Sequence, residues 1–223
     1  SGRTPYTGRP FMNKHPHVAV VGATGAVGIE MIKTLEQRNF PVGKLTLLAS
    51  ARSVGKTLKF RGTDTTVTEL KKDSFAGIDI ALFSAGGGVS RELAPEAAKR
   101  GCVVVDNSSQ WRMEPGVPLV VVGVNDADAA AHEGIIANPN CSTMQLVPLL
   151  MALRDSVGLE RVIVDTYQSV SGTGAEAVAA LTGPLNNVTA APAAGGFEPL
   201  SAPPAVIPAA PPAATSSHAS LWP

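Results

Sequence analysis

A short apolar run followed by closely spaced glycines is the feature that most constrains the fold of this chain. The run His17–Val21 predicts a buried strand and leads directly into GATGAVG, residues 22–28, after which apolar residues recur at helical spacing. A strand, a glycine turn and a helix in this order are typical of a dinucleotide-binding site, because the turn lets a pyrophosphate approach the helix N-terminus. The spacing is GxxGxxG rather than GxGxxG, so a simple glycine turn is the alternative interpretation.

The second predicted strand, Lys44–Ala49, indicates which dinucleotide would bind. An NAD site usually carries an acidic residue at the end of this strand, where it binds the ribose 2′-hydroxyl. Here the strand is followed by SARS, residues 50–53, and no acid. Arg52 and Ser53 can bind a 2′-phosphate, since the planar guanidinium suits that geometry. The sequence therefore favours NADP, with a solvated basic loop as the alternative.

A cysteine follows the last strand of the predicted sheet. The segment IIANPNCSTMQ, residues 135–145, passes from an apolar run through turn residues to Cys141, and Ser142 and Thr143 suit the cap or first turn of a helix. Free backbone N–H groups and the helix dipole favour a thiolate at such a position, and the thiolate is the form that attacks carbonyl carbon. A buried structural cysteine is the alternative.

Apolar and helical segments alternate along the chain between these motifs. We expect further strands over residues 78–83, 102–105, 119–122 and 134–137, and a helix over residues 90–100. A helix should run from Cys141 to about Arg154, kinked or shortened by Pro148. The pattern predicts an α/β fold with a doubly wound, mostly parallel sheet whose sites lie at the carboxyl ends of the strands. A strand over residues 161–170 and a helix over 175–181 would begin an incomplete α+β catalytic domain.

Composition excludes several classes of function. Eighteen basic and 18 acidic residues give a formal net charge of zero, so nothing suggests a nucleic-acid partner. Two cysteines are too few for a disulfide framework, and there is no signal peptide or membrane-length apolar run. We therefore expect a cytoplasmic setting and no membrane partner.

The chain divides into four predicted segments. Residues 1–16 are polar and rich in turn formers and predict a disordered leader. Residues 17–137 form the predicted nucleotide-binding domain, and residues 138–182 the beginning of a catalytic and dimerisation domain. Residues 183–223 hold nine of the 18 prolines and many alanines, which predicts a disordered tail.

Six segments together resemble the aspartate-β-semialdehyde dehydrogenase family. They are VAVVGATGAVG, ARSVGK, FSAGGG, VVDNSSQWR, ANPNCSTMQ and YQSVSGTGAEAV, in family order and spacing over about residues 17–181. The resemblance implies a Rossmann-like domain that binds NADP. It also implies reductive dephosphorylation of aspartyl-β-phosphate to aspartate β-semialdehyde through a cysteine thioester, in lysine, methionine and threonine biosynthesis. Aspartyl phosphate, aspartate semialdehyde and phosphate are then the small-molecule partners, and the complete enzyme is expected to be a homodimer.

The resemblance further implies roles for individual residues. Cys141 matches the nucleophile, Gln168 the glutamine that orients the substrate, and Asn140 lies beside the nucleophile, where it can polarise the substrate carbonyl. Arg112 matches the arginine that binds phosphate, although local pattern alone equally allows a surface salt bridge. The implied cofactor-binding residues are Gly22, Thr24, Gly25, Ala26, Val27, Arg52, Ser53, Ser84, Ala85, Gly86, Ser171 and Gly172. No metal is expected.

The chain also departs from the family pattern. The family continues with a Glu and a Lys near the substrate, an arginine for the substrate carboxylate and a catalytic histidine, none of which is recognisable here; His132 and His218 lie in unsuited contexts. Val122 and Gly123 stand where the family usually has Pro-Glu. We therefore expect very low turnover from this chain. A non-catalytic NADP-binding protein and an interaction module that uses the Pro/Ala tail remain as alternatives.

Overall fold

The computed structural model describes residues 14–167, which contain one seven-stranded sheet and three α-helices. The strands are β1 (His17–Val21), β2 (Lys44–Ala49), β3 (Thr57–Phe60), β4 (Thr63–Glu69), β5 (Ile80–Phe83), β6 (Val103–Asp106) and β7 (Ile135–Ala137). The α-helices are α1 (Ala26–Gln37), α2 (Gly87–Lys99) and α3 (Cys141–Val157), and short 3₁₀ helices cover Ala51–Ser53 and Asp126–Ala131.

The sheet has the strand order β3-β4-β2-β1-β5-β6-β7. All neighbouring strands are parallel except β3 and β4, which form an antiparallel hairpin at one edge. The chain starts at β1 in the middle of the sheet and adds β2, β3 and β4 on one side. It then crosses to the other side of β1, where it adds β5, β6 and β7. This order confirms the predicted mostly parallel sheet, and it places the carboxyl ends of β2, β1, β5, β6 and β7 along one edge.

Alternate residues of the strands supply two separate cores, one on each face of the sheet. On one face Val18, Val20 and Leu47 pack with Ile32 and Leu35 of α1. On the other face the cluster joins strand residues to α2 and includes Val21, Phe83, Leu93, Ala97 and Val104. Because side chains of a strand point alternately to the two faces, helices are needed on both, and the doubly wound architecture follows.

Several predicted elements agree with the structure, and some differ. The bounds of β1 and β2 are those predicted, while α2 begins at Gly87 rather than near residue 90. The strand predicted over residues 119–122 is wrong, since only a single bridge joins Leu119 to Ala137. The reason is Asn125, whose side chain hydrogen-bonds Val121 N and Leu119 O and turns the chain there. The β3–β4 hairpin was not predicted.

The second half of the described chain contains the largest differences. Helix α3 continues through Pro148 to Val157, so the proline does not shorten it. The strand predicted over residues 161–170 is not formed over residues 161–167, where Val162, Ile163 and Val164 are exposed. A strand needs a neighbour for its backbone groups, and no described segment pairs with this one. The helix predicted over 175–181 and the tail over 183–223 lie outside the described residues.

Residues at the start of the chain are described from position 14. Pro16, the last residue of the predicted leader, is fully buried, and its carbonyl oxygen accepts a hydrogen bond from Gly43 N at 3.0 Å. The packed part of the chain therefore begins before His17. Residues 1–13 lie outside the described part, and the four-segment division of the chain stays a prediction.

Candidate functional site

The glycine turn after β1 is held to the neighbouring strands by its backbone. Gly22 N and Ala23 N both donate to Leu48 O of β2, at 2.8 and 3.2 Å, and Ser84 N donates to Val21 O at 2.8 Å. Gly22 has φ +83°, and a Cβ there would lie 2.5 Å from Ser84 O. Only glycine tolerates both constraints. The turn is therefore built into the sheet edge between β2 and β5.

The N-terminus of α1 is open to an anion. Gly25 is the N-cap residue and makes no side-chain cap, and the first turn carries no acidic residue. Ala26 and Val27, the first two helical residues, are exposed. Uncapped backbone N–H groups and the positive end of the helix dipole attract phosphate. The arrangement therefore fits the pyrophosphate of a dinucleotide.

The loop after β2 reaches the glycine turn through two hydroxyl groups. The Thr24 Oγ1 and Ser53 Oγ atoms are 3.1 Å apart, within hydrogen-bond distance, and Ser53 is buried. Arg52, beside it, is exposed and makes no hydrogen bond or ion pair with the described residues. No acidic residue lies between the end of β2 and Arg52. The loop after β2 thus presents a guanidinium group that no described residue binds, at Arg52. Its neighbour Ser53 contacts Thr24 of the glycine turn.

The segment after β5 completes this part of the site. Ser84 and Ala85 are half-buried, and Gly86, with φ +85°, leads into α2. Since β2, β1 and β5 are adjacent, the three predicted cofactor-binding segments (residues 22–27, 52–53 and 84–86) lie at neighbouring strand ends. The remaining predicted cofactor residues, Ser171 and Gly172, lie outside the described residues, as does Gln168.

The turn after β7 presents Cys141 as the first residue of α3. Cys141 is exposed, and no acidic residue lies in the first turn of the helix. The N-cap is Asn140, whose Oδ1 accepts a hydrogen bond from Ser142 N at 3.0 Å. Ser142 and Thr143 therefore lie in the first turn of the helix, one of the two positions predicted for them, because the preceding turn ends at Asn140. Asn140 Oδ1 also lies 3.7 Å from the Cys141 sulfur.

The two cysteines of the chain have opposite environments. Cys102 is fully buried in the core between the sheet and α2, and burial raises the pKa of its thiol to about 12. Cys141 lies on the surface at a helix N-terminus. A thiolate is the reactive form of cysteine. Of the two thiols, the one at Cys141 is accessible, and it lies at the N-terminus of a helix.

Arg112 lies between the loop after β6 and the turn after β7. Its Nε donates to Asn138 O at 2.9 Å, and one terminal nitrogen, Nη2, donates to Asn107 O at 3.1 Å. The other terminal nitrogen has no hydrogen bond within residues 14–167, and the side chain is half-buried. The guanidinium group is thus fixed in orientation beside the cysteine turn, and part of it is left for an anion. It makes no ion pair with the described carboxylates.

Asp106, at the end of β6, was not singled out from the sequence. It is fully buried; its Oδ2 accepts a hydrogen bond from Ser108 Oγ, and Ser108 Oγ in turn accepts from Gln110 N at 3.2 Å. Oδ1 has no hydrogen-bond partner among the described residues. The signal available in the sequence was an acidic residue ending the apolar run VVVD. Asp106 shapes the loop that carries Arg112.

Two features are absent from the described residues. Within residues 14–167 no group of three or more His, Cys, Asp or Glu side chains could hold a metal ion. No helix in that part of the chain is both long enough and apolar enough to cross a membrane.

Two family models match the chain. One, described as the NAD binding domain of semialdehyde dehydrogenase, matches residues 17–132. The other, described as the dimerisation domain of semialdehyde dehydrogenase, matches residues 150–213. The second match overlaps both the predicted start of the catalytic domain and part of the predicted Pro/Ala-rich tail.

Curated relatives include two aspartate-semialdehyde dehydrogenases that are 59% identical to the chain. The protein of Bacillus subtilis (strain 168) aligns over 167 residues, which is 75% of this chain and 48% of the relative. The protein of Aquifex aeolicus (strain VF5) aligns over 164 residues, 72% of this chain and 48% of the relative. The chain therefore spans about half the length of the curated relatives it matches.

Solved structures show the same similarity. Aspartate semialdehyde dehydrogenase II of Vibrio cholerae, in complex with ASA, superposes with a TM-score of 0.74 at 45% identity and covers 79% of this chain and 53% of its own. The aspartate semialdehyde dehydrogenase of Candida albicans, solved with NADP, has a TM-score of 0.51 at 27% identity over 65% of this chain and 48% of its own.

Proposed function

The chain belongs to the aspartate-semialdehyde dehydrogenase family, and from that premise we propose that it forms the NADP-binding and nucleophile-bearing part of such an enzyme. The proposed reaction is the reductive dephosphorylation of aspartyl-β-phosphate to aspartate β-semialdehyde, a step in lysine, methionine and threonine biosynthesis. The observation that carries the proposal is a shared location. Three predicted cofactor-binding segments and an exposed cysteine at a helix N-terminus lie at the carboxyl ends of strands in one mostly parallel sheet.

The residues present fit a nicotinamide dinucleotide. The uncapped N-terminus of α1 suits the pyrophosphate, and Gly22, Thr24, Gly25, Ala26 and Val27 would surround it. Ser84, Ala85 and Gly86 leave room at the next strand end, and the resemblance adds Ser171 and Gly172. When bound, this group supplies the hydride chemistry of the reaction.

Preference for NADP over NAD is proposed from the turn after β2. Arg52 is exposed and uncommitted to any described carboxylate, so it can bind the 2′-phosphate. Ser53 is already hydrogen-bonded to Thr24, so we assign it to holding the turn and to a second contact with the phosphate through its remaining hydrogen-bonding capacity. An acid that would hold a ribose 2′-hydroxyl is absent from residues 50–53.

The chemistry assigned to the chain itself centres on Cys141. In the oxidative direction its thiolate attacks the aldehyde carbon and forms a carbon–sulfur bond, giving a thiohemiacetal whose carbon then loses hydride and whose oxygen loses its proton. A phosphate oxygen next attacks the acyl carbon of the thioester, and the carbon–sulfur bond breaks to release aspartyl phosphate and the thiolate. The biosynthetic reaction is the reverse. Sulfur suits both steps, since a thiolate is a good nucleophile and a good leaving group.

Neighbouring residues have supporting roles in this proposal. Asn140 Oδ1 faces the Ser142 N–H, which leaves the amide nitrogen of Asn140 to donate to the substrate carbonyl oxygen. Arg112 holds phosphate or the acyl-phosphate group with the part of its guanidinium group that no described residue occupies. Gln168 is assigned to orienting the substrate by the family resemblance alone.

Assembly and setting are part of the same proposal. The match of residues 150–213 to a dimerisation domain supports a homodimer for the complete protein. A reactive free thiol must stay reduced, so we propose a cytoplasmic location. The small-molecule partners are then aspartyl phosphate, aspartate semialdehyde and phosphate.

The cofactor assignment is tested with Arg52→Ala in the full 223-residue chain. A hydrogen bond to a charged group contributes roughly 1.5–3 kcal/mol, so NADP binding should weaken about 10- to 100-fold while NAD binding changes little. Arg38→Ala is the matched control, because Arg38 is also exposed but follows the opposite end of α1. Calorimetric titration measures all affinities. Equal losses for both cofactors, or for both variants, would contradict the assignment.

The catalytic assignment is tested by absorbance at the wavelength of reduced nicotinamide, with semialdehyde, phosphate and NADP present. Any turnover should disappear in Cys141→Ser, which keeps the shape of the side chain but lacks a thiolate. NADP affinity should be unchanged in that variant. NADP binding with no turnover in the wild-type chain would instead favour a non-catalytic nucleotide-binding protein.

A further inference from the structure

Asn138 makes three hydrogen bonds with one neighbouring segment, residues 106–112. Its backbone N donates to Asp106 O at 2.8 Å, its carbonyl accepts from Arg112 Nε at 2.9 Å, and its Nδ2 donates to Asn107 Oδ1 at 2.8 Å. Asn107 is itself fixed to the sheet, because its N donates to Phe83 O at 3.0 Å. The side-chain bond thus joins the ends of β6 and β7. Neither asparagine has a role in the function proposed above.

We propose that the Asn107–Asn138 side-chain pair positions Cys141 for reaction, an inference that rests on the nucleophile role proposed for that cysteine. Asn138 is three residues before Cys141, and the residue between it and the N-cap, Pro139, is buried. So short a connection leaves little freedom once Asn138 is held. The pair therefore sets where the chain enters α3, and with it where the sulfur lies relative to Arg112.

Among the described residues, α3 packs less deeply against the sheet than the other two α-helices do. Helix α1 buries Ile32 and Leu35 and helix α2 buries four side chains against the sheet, whereas no residue of α3 is buried among the described residues. Helix position normally comes from packing of an apolar face. Where that packing is slight, hydrogen bonds at the N-terminal turn decide the position of the first helical residue. Both asparagines act through Cys141 and its turn and are positioning residues.

The experiment measures the rate at which iodoacetamide alkylates Cys141 at neutral pH in the full chain, by peptide mapping. The variants are Asn138→Ala, Asn107→Ala and the double substitution; the two backbone bonds of Asn138 persist in all three. Loss of a favourable helix-terminus setting should slow Cys141 alkylation about two- to five-fold in each single variant. Because both remove the same bond, the double variant should be no slower than the slower single variant. Cys102, buried and with a raised pKa, serves as the unreactive reference.

Two further variants distinguish a specific effect on the position of Cys141 from a general loss of stability. Asn125 also makes three side-chain hydrogen bonds, to Leu119 O, Val121 N and Asp128 Oδ2. They hold the segment that pairs with Ala137 of β7 rather than the loop after β6. Asn125→Ala should lower the melting temperature without slowing Cys141 alkylation. Asn107→Asp keeps an acceptor for Asn138 Nδ2 and should restore most of the wild-type rate in about 0.5 M salt, which screens its added charge.

The measured alkylation rates either support or overturn the positioning role of the asparagine pair. Wild-type rates in both single variants, or equal slowing by Asn125→Ala, would overturn the positioning role while leaving the nucleophile assignment intact. A wild-type Cys141 no more reactive than Cys102 would overturn the nucleophile assignment and the inference with it. If Asn138→Ala does not fold, Asn107→Ala tests the same bond from its other end, and recovery of the rate in Asn107→Asp supports the inference.

Discussion

Replacing Gly28 by alanine should destabilise the protein, although alanine normally favours a helix over glycine. Gly28 is the third residue of α1 and lies beneath the glycine turn. A Cβ there would overlap the carbonyl oxygen of Gly22 and would lie 2.9 Å from Ala23 Cα. Both atoms belong to backbone that the sheet holds at Leu48 O. The turn therefore has to move away from the helix that it contacts.

The magnitude follows from two opposing effects. Forcing an extra carbon into a packed region costs about 1–3 kcal/mol, and contact with fixed backbone places Gly28→Ala towards the upper end. The gain from replacing a helical glycine offsets about 0.5–1 kcal/mol of this. The net loss in the free energy of unfolding is about 1–2 kcal/mol, which lowers the melting temperature by roughly 2–8 °C for a domain of this size. NADP affinity should also fall, since the displaced turn is the proposed pyrophosphate site.

The chain contains a matched control at Gly88, which lies in the first turn of α2. A Cβ at Gly88 would meet no atom within 4 Å, so Gly88→Ala should keep only the helix gain and leave the melting temperature equal or higher. Thermal unfolding followed by circular dichroism measures both variants, and calorimetric titration measures NADP binding. A Gly28→Ala protein as stable as Gly88→Ala would refute the steric reasoning.

Three other predictions concern single side chains. Cys141 should be alkylated by iodoacetamide well before Cys102, whose pKa burial raises to about 12; prior labelling of Cys102 in peptide maps would contradict this. Ser53→Ala removes the hydrogen bond to Thr24 and should weaken NADP binding about 3- to 10-fold by titration, whereas unchanged affinity would show that the bond is dispensable. Burial is the largest cause of the lowered pKa of His17, so the folded state favours the neutral ring. The free energy of unfolding should therefore fall as the pH drops from about 7 to about 5. Urea unfolding of His17→Gln should show a smaller fall, and an identical pH dependence would disprove the contribution of His17.

Local pattern was sufficient for the elements whose signals are themselves local. The bounds of β1 and β2 and the start of α3 at Cys141 were predicted correctly, because buried parallel strands are continuous apolar runs and turn residues mark where they end. The β3–β4 hairpin was missed, although Arg61 and Gly62, both with positive φ, form a two-residue turn between its strands. That signal was available in the sequence.

Pairing between distant segments was decided by the tertiary structure alone. Residues 161–167 have the composition of a strand but pair with no described segment, and the run at residues 119–122 is turned aside by the side chain of Asn125. A strand requires a partner for its backbone, which composition does not specify.

Which residue types are available to the site follows from the sequence alone: the glycines of the turn, Arg52 where an acid would select NAD, and Cys141 at the start of a helix. The tertiary structure decided which of them meet. Thr24 contacts Ser53 across 29 positions, and Asn138 contacts Asn107 across 31. The physical reason is the strand order, since the carboxyl ends of adjacent parallel strands share one edge of the sheet and bring the loops that follow them together.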